Sequence, residues 1–272
     1  MTFKQLVRFE EGGQVHHGEL REVDAAKGYT IEVLAGNPFH GLSPTGKVVT
    51  VPKLLCPLER TPIILCVGLN YKKHAAEAKL EVPTYPVLFM KPSDALAGPS
   101  DPIRVHPDAQ IQLDYEGELC VIIGRDAKNL TEAEALDYVL GYAIGNDVSA
   151  RNYQAPSASG GQYCYAKSFD GFAPIGPAIW SPAVVPDPQA LYYRTKVNGE
   201  VVQETSTADM IWSVRQLLAH FSRGTTLRRG TVIMTGTPSG VGFFRNSFLK
   251  DGDVVEVEVE GLGRVSNCIQ FS

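Results

Sequence analysis

The sequence lacks the cysteine patterns that mark zinc-binding and dithiol redox proteins. Its 272 residues include five cysteines, an odd number, and no two of them stand in a C-x-x-C spacing. A zinc ribbon and a thioredoxin-type motif are therefore unsupported. Cys66 and Cys120 lie inside the apolar runs ILCVG and ELCVIIG. We expect both to be buried free thiols of a protein in a reducing compartment.

Long runs of a single residue class are also missing. No segment approaches the roughly 20 consecutive apolar residues that span a bilayer. No run of Lys and Arg occurs, and the formal net charge is -5, which argues against a nucleic-acid partner. The N-terminus MTFKQLVRFEEGG resembles neither a signal peptide nor a transit peptide. We expect a cytoplasmic protein, and a mitochondrial location after processing is the alternative.

Short stretches of alternating and apolar residues dominate the chain instead. Residues 1–58 alternate polar and apolar residues between glycines and prolines, which predicts a small N-terminal β-rich domain. Residues 59–272 form the second and larger predicted domain. Apolar runs bounded by turn residues predict buried strands there, at 63–67, 87–90, 118–123, 192–197, 231–235 and 254–259. Asn198-Gly199 predicts a hairpin turn.

Three segments have helical signals. Residues 210–221 place apolar side chains on one helical face, and residues 74–79 are predicted as a short helix. Thr131-x-x-Glu134 is a capping-box pattern ahead of apolar residues, and it predicts a third helix. The chain is therefore predicted to be α+β and mostly β.

Two acidic residues stand two positions apart in DYEGELCVIIG. On a strand, Glu116 and Glu118 point to the same face. At the rim of a core sheet they would repel each other and lose hydration, and a cation removes both costs. Asp147, after the predicted strand YAIGN, supplies a third oxygen donor, which suits a hard divalent cation. The alternative is that these acids form surface ion pairs with Arg or Lys, and their spacing alone does not distinguish a cation site from such pairs.

Six segments in order resemble the fumarylacetoacetate hydrolase superfamily over roughly residues 60–270: CVGLNYKKHAAE, DYEGELCVIIGR, GYAIGNDVSARNYQ, AKSFDGFAPIGP, VNGEVVQ and TGTPSGVGFF. Among its members, the chain is most similar to the group of fumarylacetoacetate hydrolase domain-containing protein 2, whose members are oxaloacetate tautomerases. The resemblance implies a fold of rolled, mixed β-sheets and a homodimer. It also implies that Glu116, Glu118 and Asp147 bind Mg²⁺ or Mn²⁺, with Ca²⁺ able to replace them in crystals.

His74 and Glu77 form an H-x-x-E pattern. On a helix, positions i and i+3 share one face, so the carboxylate can orient the imidazole. A structural role is the usual one for a single histidine. The resemblance implies instead a catalytic dyad on a mobile lid, which activates water for C–C bond hydrolysis.

Four further residues gain roles only from the resemblance. Taken alone, Lys167, Arg151 and Gln154 would be surface residues, and Thr237 would lie in an ordinary glycine-rich turn. That turn has neither the Gly-Lys-Ser/Thr of a phosphate loop nor a G-x-S-x-G elbow. The resemblance implies that Lys167 is a catalytic cation that stabilises enolate or carboxylate charge. It implies that Arg151, Gln154 and Thr237 bind the substrate.

The resemblance therefore implies an enzyme that acts on small 2-oxo acids through a metal-bound enolate. Oxaloacetate keto–enol tautomerisation is the activity that we expect. The alternatives are C–C hydrolysis of acylpyruvates or other β-diketo acids, of fumarylpyruvate or fumarylacetoacetate type, and oxaloacetate decarboxylation. A relative that binds metal without catalysis is the non-enzyme alternative. The expected partner is a small molecule, not nucleic acid or membrane.

Overall fold

The computed structural model describes residues 3–272 and consists mostly of β-strands in mixed sheets, as predicted. The strands are β1 (Gln5–Glu11), β2 (Gln14–Asp24), β3 (Gly28–Asn37), β4 (Gly41–Val51), β5 (Ile64–Val67), β6 (Leu88–Lys91), β7 (Leu96–Ala97), β8 (Ile103–Val105), β9 (Leu113–Asp114), β10 (Gly117–Ile123), β11 (Val139–Asn146), β12 (Ser149–Ala150), β13 (Ala173–Trp180), β14 (Tyr192–Val197), β15 (Glu200–Ser206), β16 (Val232–Met234), β17 (Val254–Val259) and β18 (Gly263–Phe271).

One large sheet carries most of these strands, in the order β4-β3-β2-β1-β13-β11-β10-β16-β5-β6, with β7 paired to β13. A second sheet has the order β15-β14-β17-β18-β8, and β12 pairs with β9. Both larger sheets are mixed, because β16 runs parallel to β5 and β18 runs parallel to β8. The six apolar runs predicted as strands all form strands, which differ from the predicted bounds by at most one residue at each end.

The first four strands extend the large sheet without a break in hydrogen bonding. β1 pairs antiparallel with β13 through Gln5 opposite Trp180 and Leu6 opposite Ile179. The remaining contacts of this segment lie mainly among β1 to β4. The domain boundary at residue 58 stays a prediction.

The middle of the large sheet is buried on both faces. Successive side chains of a strand point in opposite directions, and in β10 they alternate between two apolar cores. Leu119 and Val121 pack into one core, whereas Cys120 and Ile122 pack into the other. Cys120 and Cys66 are both free and fully buried, as predicted. This sheet gives the start of β10 a rigid position.

Helices are short: α1 (Lys72–Ala78), α2 (Pro156–Ser159), α3 (Cys164–Lys167), α4 (Val214–Phe221) and α5 (Gly242–Arg245). Five 3₁₀ turns lie between them and the strands, at Ser93–Ala95, Pro107–Ala109, Ala135–Tyr138, Arg151–Tyr153 and Thr207–Asp209. The short helix predicted at 74–79 corresponds to α1. Between residues 3 and 272, no helix combines the length and apolar character required to cross a membrane.

The longer predicted helix begins later than expected. α4 starts at Val214, because Ser213 caps it with a reciprocal bond to Gln216, a true capping box. Met210 and Ile211 precede the helix, and Ile211 N–H donates instead to the carbonyl of Asn70 at 2.7 Å. The predicted helical face is confirmed for the apolar residues from Val214 onward.

The helix predicted after Thr131 is wrong. Thr131 and Glu134 do bond to each other, with Thr131 Oγ1 2.9 Å from Glu134 Oε2. The motif closes only a turn, which leads into a 3₁₀ helix of four residues. β11 begins at Val139, and its pairing with β10 uses the apolar residues that would have continued a helix. Tertiary pairing has overridden a local helix signal here.

Candidate metal centre

Antiparallel pairing of β10 and β11 brings the three predicted metal ligands together. Gly117, at the start of β10, lies opposite Asn146, at the end of β11. Glu116 immediately precedes β10 and Asp147 immediately follows β11, so the two are adjacent. The Asp147 N–H donates to the carbonyl of Glu116 at 2.8 Å. Carboxylate oxygens of Glu116, Glu118 and Asp147 all lie within 4.8 Å of one another.

These carboxylates are removed from water. Glu118 and Asp147 are fully buried, and Glu116 is 7% exposed. Three buried negative charges at such distances are strongly unfavourable unless cations or hydrogen-bond donors compensate them. The compensation comes from side chains that lie far away in sequence.

Lys167 forms ion pairs with two of the three carboxylates. Its Nζ lies 2.8 Å from Glu116 Oε2 and 2.9 Å from Asp147 Oδ2. Burial alone would lower the pKa of Lys167, but the Asp147 and Glu116 carboxylates outweigh burial and raise it. Lys167 is therefore a buried ammonium group that bridges two of the predicted metal ligands. The expectation of a surface lysine, which the residue alone would favour, is wrong.

Arg151 is the second cation of the centre. Its Nη2 bonds to Glu116 Oε1, and its Nη1 donates to Gln154 Oε1 at 2.8 Å. Burial alone would raise the pKa of Glu116, but Lys167 and Arg151 outweigh it and hold that pKa below its usual range. Glu116 is therefore ionised at neutral pH.

Lys91 is a third cation, which sequence reasoning missed. Its Nζ lies 2.6 Å from Asp147 Oδ1, and both side chains are fully buried. It also donates to the carbonyls of Val148, Lys167 and Phe172 at 2.7–3.1 Å. The available signal was a lone charged residue at the end of the apolar run VLFMKP, since such a residue needs a buried partner.

Glu118 is the least compensated acid, and it tests whether the centre suits a cation. Its Oε2 accepts from Gly236 N–H at 2.6 Å. Its Oε1 is buried, and no donor among residues 3–272 bonds to it. Burial, followed by the charges of Asp147 and Glu116, raises the pKa of Glu118 well above its usual range. An orphaned buried oxygen beside two more carboxylates is what an oxygen-preferring divalent cation would satisfy.

The predicted dyad lies on α1. His74 Nδ1 is 3.1 Å from Glu77 Oε2, so the two side chains are in contact as the i, i+3 spacing predicts. Glu77 also accepts from Gly240 N–H, at 3.1 and 3.2 Å to its two oxygens. The glycine has φ +100°, and a Cβ there would come within 2.1 Å of the Val202 carbonyl. The dyad is thus attached to the loop that also carries Thr237.

A cavity of about 560 Å³ opens onto the centre. Six of the nine predicted site residues line it, namely His74, Glu116, Arg151, Gln154, Lys167 and Thr237. Glu118 and Asp147 are fully buried and lie next to Glu116, which lines the cavity. Aromatic side chains form part of the wall, with the Phe243 ring 5.9 Å from the Arg151 guanidinium and the Phe244 ring 5.7 Å from His74. The volume is that of a small-molecule site.

Gln203 holds Thr237 in place, and sequence reasoning gave it no role. Its Nε2 donates to Thr237 Oγ1 at 2.8 Å and to the Pro238 carbonyl at 3.0 Å. Its Oε1 accepts from Gly117 N–H at 3.0 Å. The amide therefore ties the glycine-rich loop to the start of β10. The motif VNGEVVQ contained this residue without indicating a contact.

Comparison with known proteins identifies the family. The fumarylacetoacetate (FAA) hydrolase C-terminal family matches residues 63–270, and the Rv2993c-like N-terminal family matches residues 5–60. The chain belongs to the fumarylacetoacetate hydrolase family, whose members are enzymes. The family predicted from the six sequence segments is confirmed.

Individual relatives include both isomerases and hydrolases. The mitochondrial oxaloacetate tautomerase fahd2 of Xenopus laevis is 43% identical over 218 residues, which are 79% of this chain and 68% of the relative. The structure of 2-hydroxyhepta-2,4-diene-1,7-dioate isomerase from Mycobacterium marinum has a TM-score of 0.85 at 36% identity and covers 99% of both chains. Fumarylacetoacetate hydrolase from Exiguobacterium antarcticum has a TM-score of 0.85 at 35% identity, over 99% of this chain and all of that one.

Proposed function

We propose that this protein is a divalent-metal-dependent enzyme that interconverts the keto and enol forms of oxaloacetate. The observation that carries the proposal is the buried triad of Glu116, Glu118 and Asp147, which opens onto a small-molecule cavity. The similarity of the chain to a relative named oxaloacetate tautomerase supports the choice of substrate.

Mg²⁺ or Mn²⁺ is the cation that we expect at the triad, where it would act as a Lewis acid toward the oxygens of a 2-oxo acid. The protein's own groups bind and orient the substrate. The planar Arg151 guanidinium suits a carboxylate, and Gln154 and Thr237 offer neutral hydrogen-bonding groups at the same cavity. The Lys167 ammonium stabilises the negative charge of the enolate.

Tautomerisation moves one proton between C3 and the C2 oxygen and breaks no carbon–carbon bond. We assign Lys167 to the oxygen side, because its ammonium already lies among carboxylate oxygens. His74 also lines the cavity, and Glu77 orients its ring. It is therefore our candidate for exchange at carbon.

Replacing one triad ligand tests the proposal. Glu116→Ala should slow the Mg²⁺-dependent decay of enol-oxaloacetate on the order of 100-fold or more, since it removes a ligand and the partner of two cations. The decay is followed by ultraviolet absorbance, with Glu22→Ala, which changes an exposed glutamate, as the matched control. Full activity of Glu116→Ala at saturating Mg²⁺ would contradict a metal-centred site.

Hydrolysis of acylpyruvates is a second candidate, and the dyad favours it. Glu77 holds the imidazole of His74 at 3.1 Å, which suits removal of a proton from water. Hydroxide would add to the remote carbonyl, the C–C bond would break, and the electron pair would leave as pyruvate enolate. The acyl half is released as a carboxylic acid, and protonation of the enolate gives pyruvate.

One set of assays separates the two candidates. Enol-oxaloacetate decay, pyruvate release from acylpyruvates and CO₂ release from oxaloacetate are measured with Mg²⁺ and with chelator. The tautomerase proposal expects metal-dependent acceleration of enol decay that exceeds the other two activities. Pyruvate release from acylpyruvates without faster enol decay would instead identify a hydrolase.

A further inference from the structure

One more carboxylate is fully buried beside the centre, and the site described above gives it no role. Asp114 ends β9, two residues before Glu116. It is 0% exposed. A carboxylate so buried must be strongly hydrogen-bonded, because burying an unpaired charge is very costly. Its partners therefore indicate what its charge is used for.

Asp114 accepts four hydrogen bonds. Arg151 Nε donates to Oδ2 at 2.8 Å, and Phe243 N–H donates to the same oxygen at 3.0 Å. Gly242 N–H donates to Oδ1 at 2.7 Å, as does Tyr115 N–H at 2.8 Å. One carboxylate thus joins the guanidinium of the cavity arginine to the first main-chain amides of α5.

The hydrogen bond from Arg151 Nε to Asp114 determines the orientation of the Arg151 guanidinium. Nε is the inner donor of the guanidinium, and fixing it restricts the plane of the whole group. The outer nitrogens then point to Glu116 and Gln154 at the cavity. A lysine could not be oriented in this way, because its ammonium is a point charge without a plane.

The amide bonds fix a second part of the cavity. Phe243 and Phe244 belong to α5, and both line the cavity. A Cβ on Gly242 would come within 2.5 Å of Asp114 Oδ1 and 2.4 Å of the Ser247 carbonyl. Glycine at this position therefore allows the carboxylate to approach the amides closely. The aromatic wall and the arginine are anchored to the same carboxylate.

We propose that Asp114 is a positioning residue of the active site. It orients the Arg151 guanidinium toward the substrate, and it fixes the position of Phe243 and Phe244 relative to that guanidinium. The proposal rests on the proposed function in one respect, namely that Arg151 contacts substrate oxygens. Asp114 itself lies behind the arginine and touches neither the cavity nor the reacting atoms.

Asp114→Asn tests this role, because it keeps the size of the side chain and removes the charge. We expect KM for oxaloacetate and the Kd of oxalate, a planar analogue of an enolate, to rise on the order of tenfold or more. We expect kcat to change less, and Mn²⁺ affinity measured by calorimetry to stay within about twofold. Asp108→Asn, at an exposed aspartate nearby, is the matched control. Weakened Mn²⁺ binding, or a fall in kcat alone, would overturn the proposal.

A double-mutant cycle then tests whether the effect passes through the arginine. Arg151→Lys lacks the Nε donor, so adding Asp114→Asn to it should weaken oxalate binding little further. Additive losses would overturn the proposal. Oxalate and Mn²⁺ binding need no turnover, so they report on Asp114 even if oxaloacetate is not the substrate. Absence of turnover with intact binding would count against the proposed function alone.

A measurement on the unmodified protein covers the case in which Asp114→Asn does not fold. The Arg151 Nε–H should give a ¹H–¹⁵N resonance that exchanges slowly with water, before and after addition of Mg²⁺ and oxalate. Rapid exchange in the ligand-bound protein, at the rate of surface arginines, would show that the bond to Asp114 does not hold the guanidinium during binding and would overturn the proposal.

Discussion

At the scale of single residues, the centre is a balance of buried charge. Lys167 and Arg151 neutralise Glu116, and Lys91 lies against Asp147. Glu118 is different, because a single main-chain amide bonds to one of its oxygens. The fold has therefore compensated the other acids and left Glu118 to hold either a proton or a cation.

The raised pKa of Glu118 predicts that metal binding releases a proton. Its causes are burial first, then Asp147 and Glu116. With a raised pKa, the carboxyl group keeps its proton at pH values where an ordinary glutamate is ionised, and a metal ligand must lose it. Mn²⁺ affinity should therefore rise with pH, by about tenfold per unit while Glu118 is protonated, and level off above its pKa.

Calorimetry in two buffers with different ionisation enthalpies, at one pH, gives the number of protons released. Just above the ordinary pKa of a glutamate, we expect proton release for the unmodified protein and for Asp108→Asn, and none for Glu118→Gln if that variant still binds Mn²⁺. Binding of Mn²⁺ to the unmodified protein at that pH without proton release would contradict the assignment.

Residue patterns alone indicated the acids of the centre but not their counter-charges. Glu116 and Glu118 stand two positions apart in extended chain where β10 begins, so their proximity follows from local geometry. The contact between Lys91 and Asp147 joins residues 56 positions apart and depends on packing around α3. The apolar run before Lys91 indicates that its charge needs a buried partner, but it does not indicate that the partner is Asp147. The roles of Lys167 and Arg151 came from family resemblance for the same reason.

At the scale of elements, the boundaries follow caps and pairing more closely than apolar periodicity. α4 carries a clear helical face, yet its start is fixed by Ser213, whose side chain accepts from Gln216 N–H. The periodic pattern alone extended it to Met210. The turn at Asn198-Gly199 was predictable, because both residues adopt positive φ, the requirement for a tight hairpin.

Removing the cap of α4 should destabilise the protein measurably. Ser213→Ala loses the hydroxyl that accepts from Gln216 N–H, and such caps contribute about 1 kcal/mol. We expect the free energy of unfolding in urea to fall by that amount, with an unchanged m-value. Ser100→Ala, at an exposed serine, is the control and should change it little. Equal stability of the two variants would show that the cap is dispensable.

At the scale of the whole molecule, the centre joins distant parts of the chain. Residues from β6, β10, β11, α3 and the loop before α5 all meet there. A ligand that binds only the folded form stabilises it by RT ln(1 + [L]/Kd). Metal at the centre should therefore raise the stability of the entire fold, not only of the segments that contact it.

The predicted homodimer and the cytoplasmic location stay predictions.

We expect Mg²⁺ or Mn²⁺ to raise the melting temperature and chelator to reverse the effect. At a free concentration of 100 times Kd, the gain is about 2.7 kcal/mol, which corresponds to a rise of roughly 5–10 °C for a chain of this size. Differential scanning fluorimetry measures it. Glu118→Gln should lose most of the increase, and an undiminished shift in that variant would place the cation elsewhere.

The family and the mixed β architecture were predictable because six ordered segments carry both together. The reaction was not predictable, since the proposed tautomerisation and its alternatives, hydrolysis and decarboxylation, would use the same candidate cation site and differ in which protein group reaches the substrate carbon. That difference depends on His74 and the cavity wall, whose arrangement follows from the docking of α1 on the Gly240 loop. Long-range packing of this kind leaves little trace in local sequence.

The pairing of β1 with β13 affects whether one chain can add strands to the sheet of another. Ile179 and Trp180 of β13 are fully buried, and β1 lies along them on the side away from β11. Without β1, the main-chain N–H and C=O groups of this stretch would form an open sheet edge beside two large apolar side chains. Such an edge accepts strands from neighbouring chains and leads to aggregation. The four N-terminal strands thus cover this stretch of β13, and the free edge on that side of the large sheet lies at β4 instead.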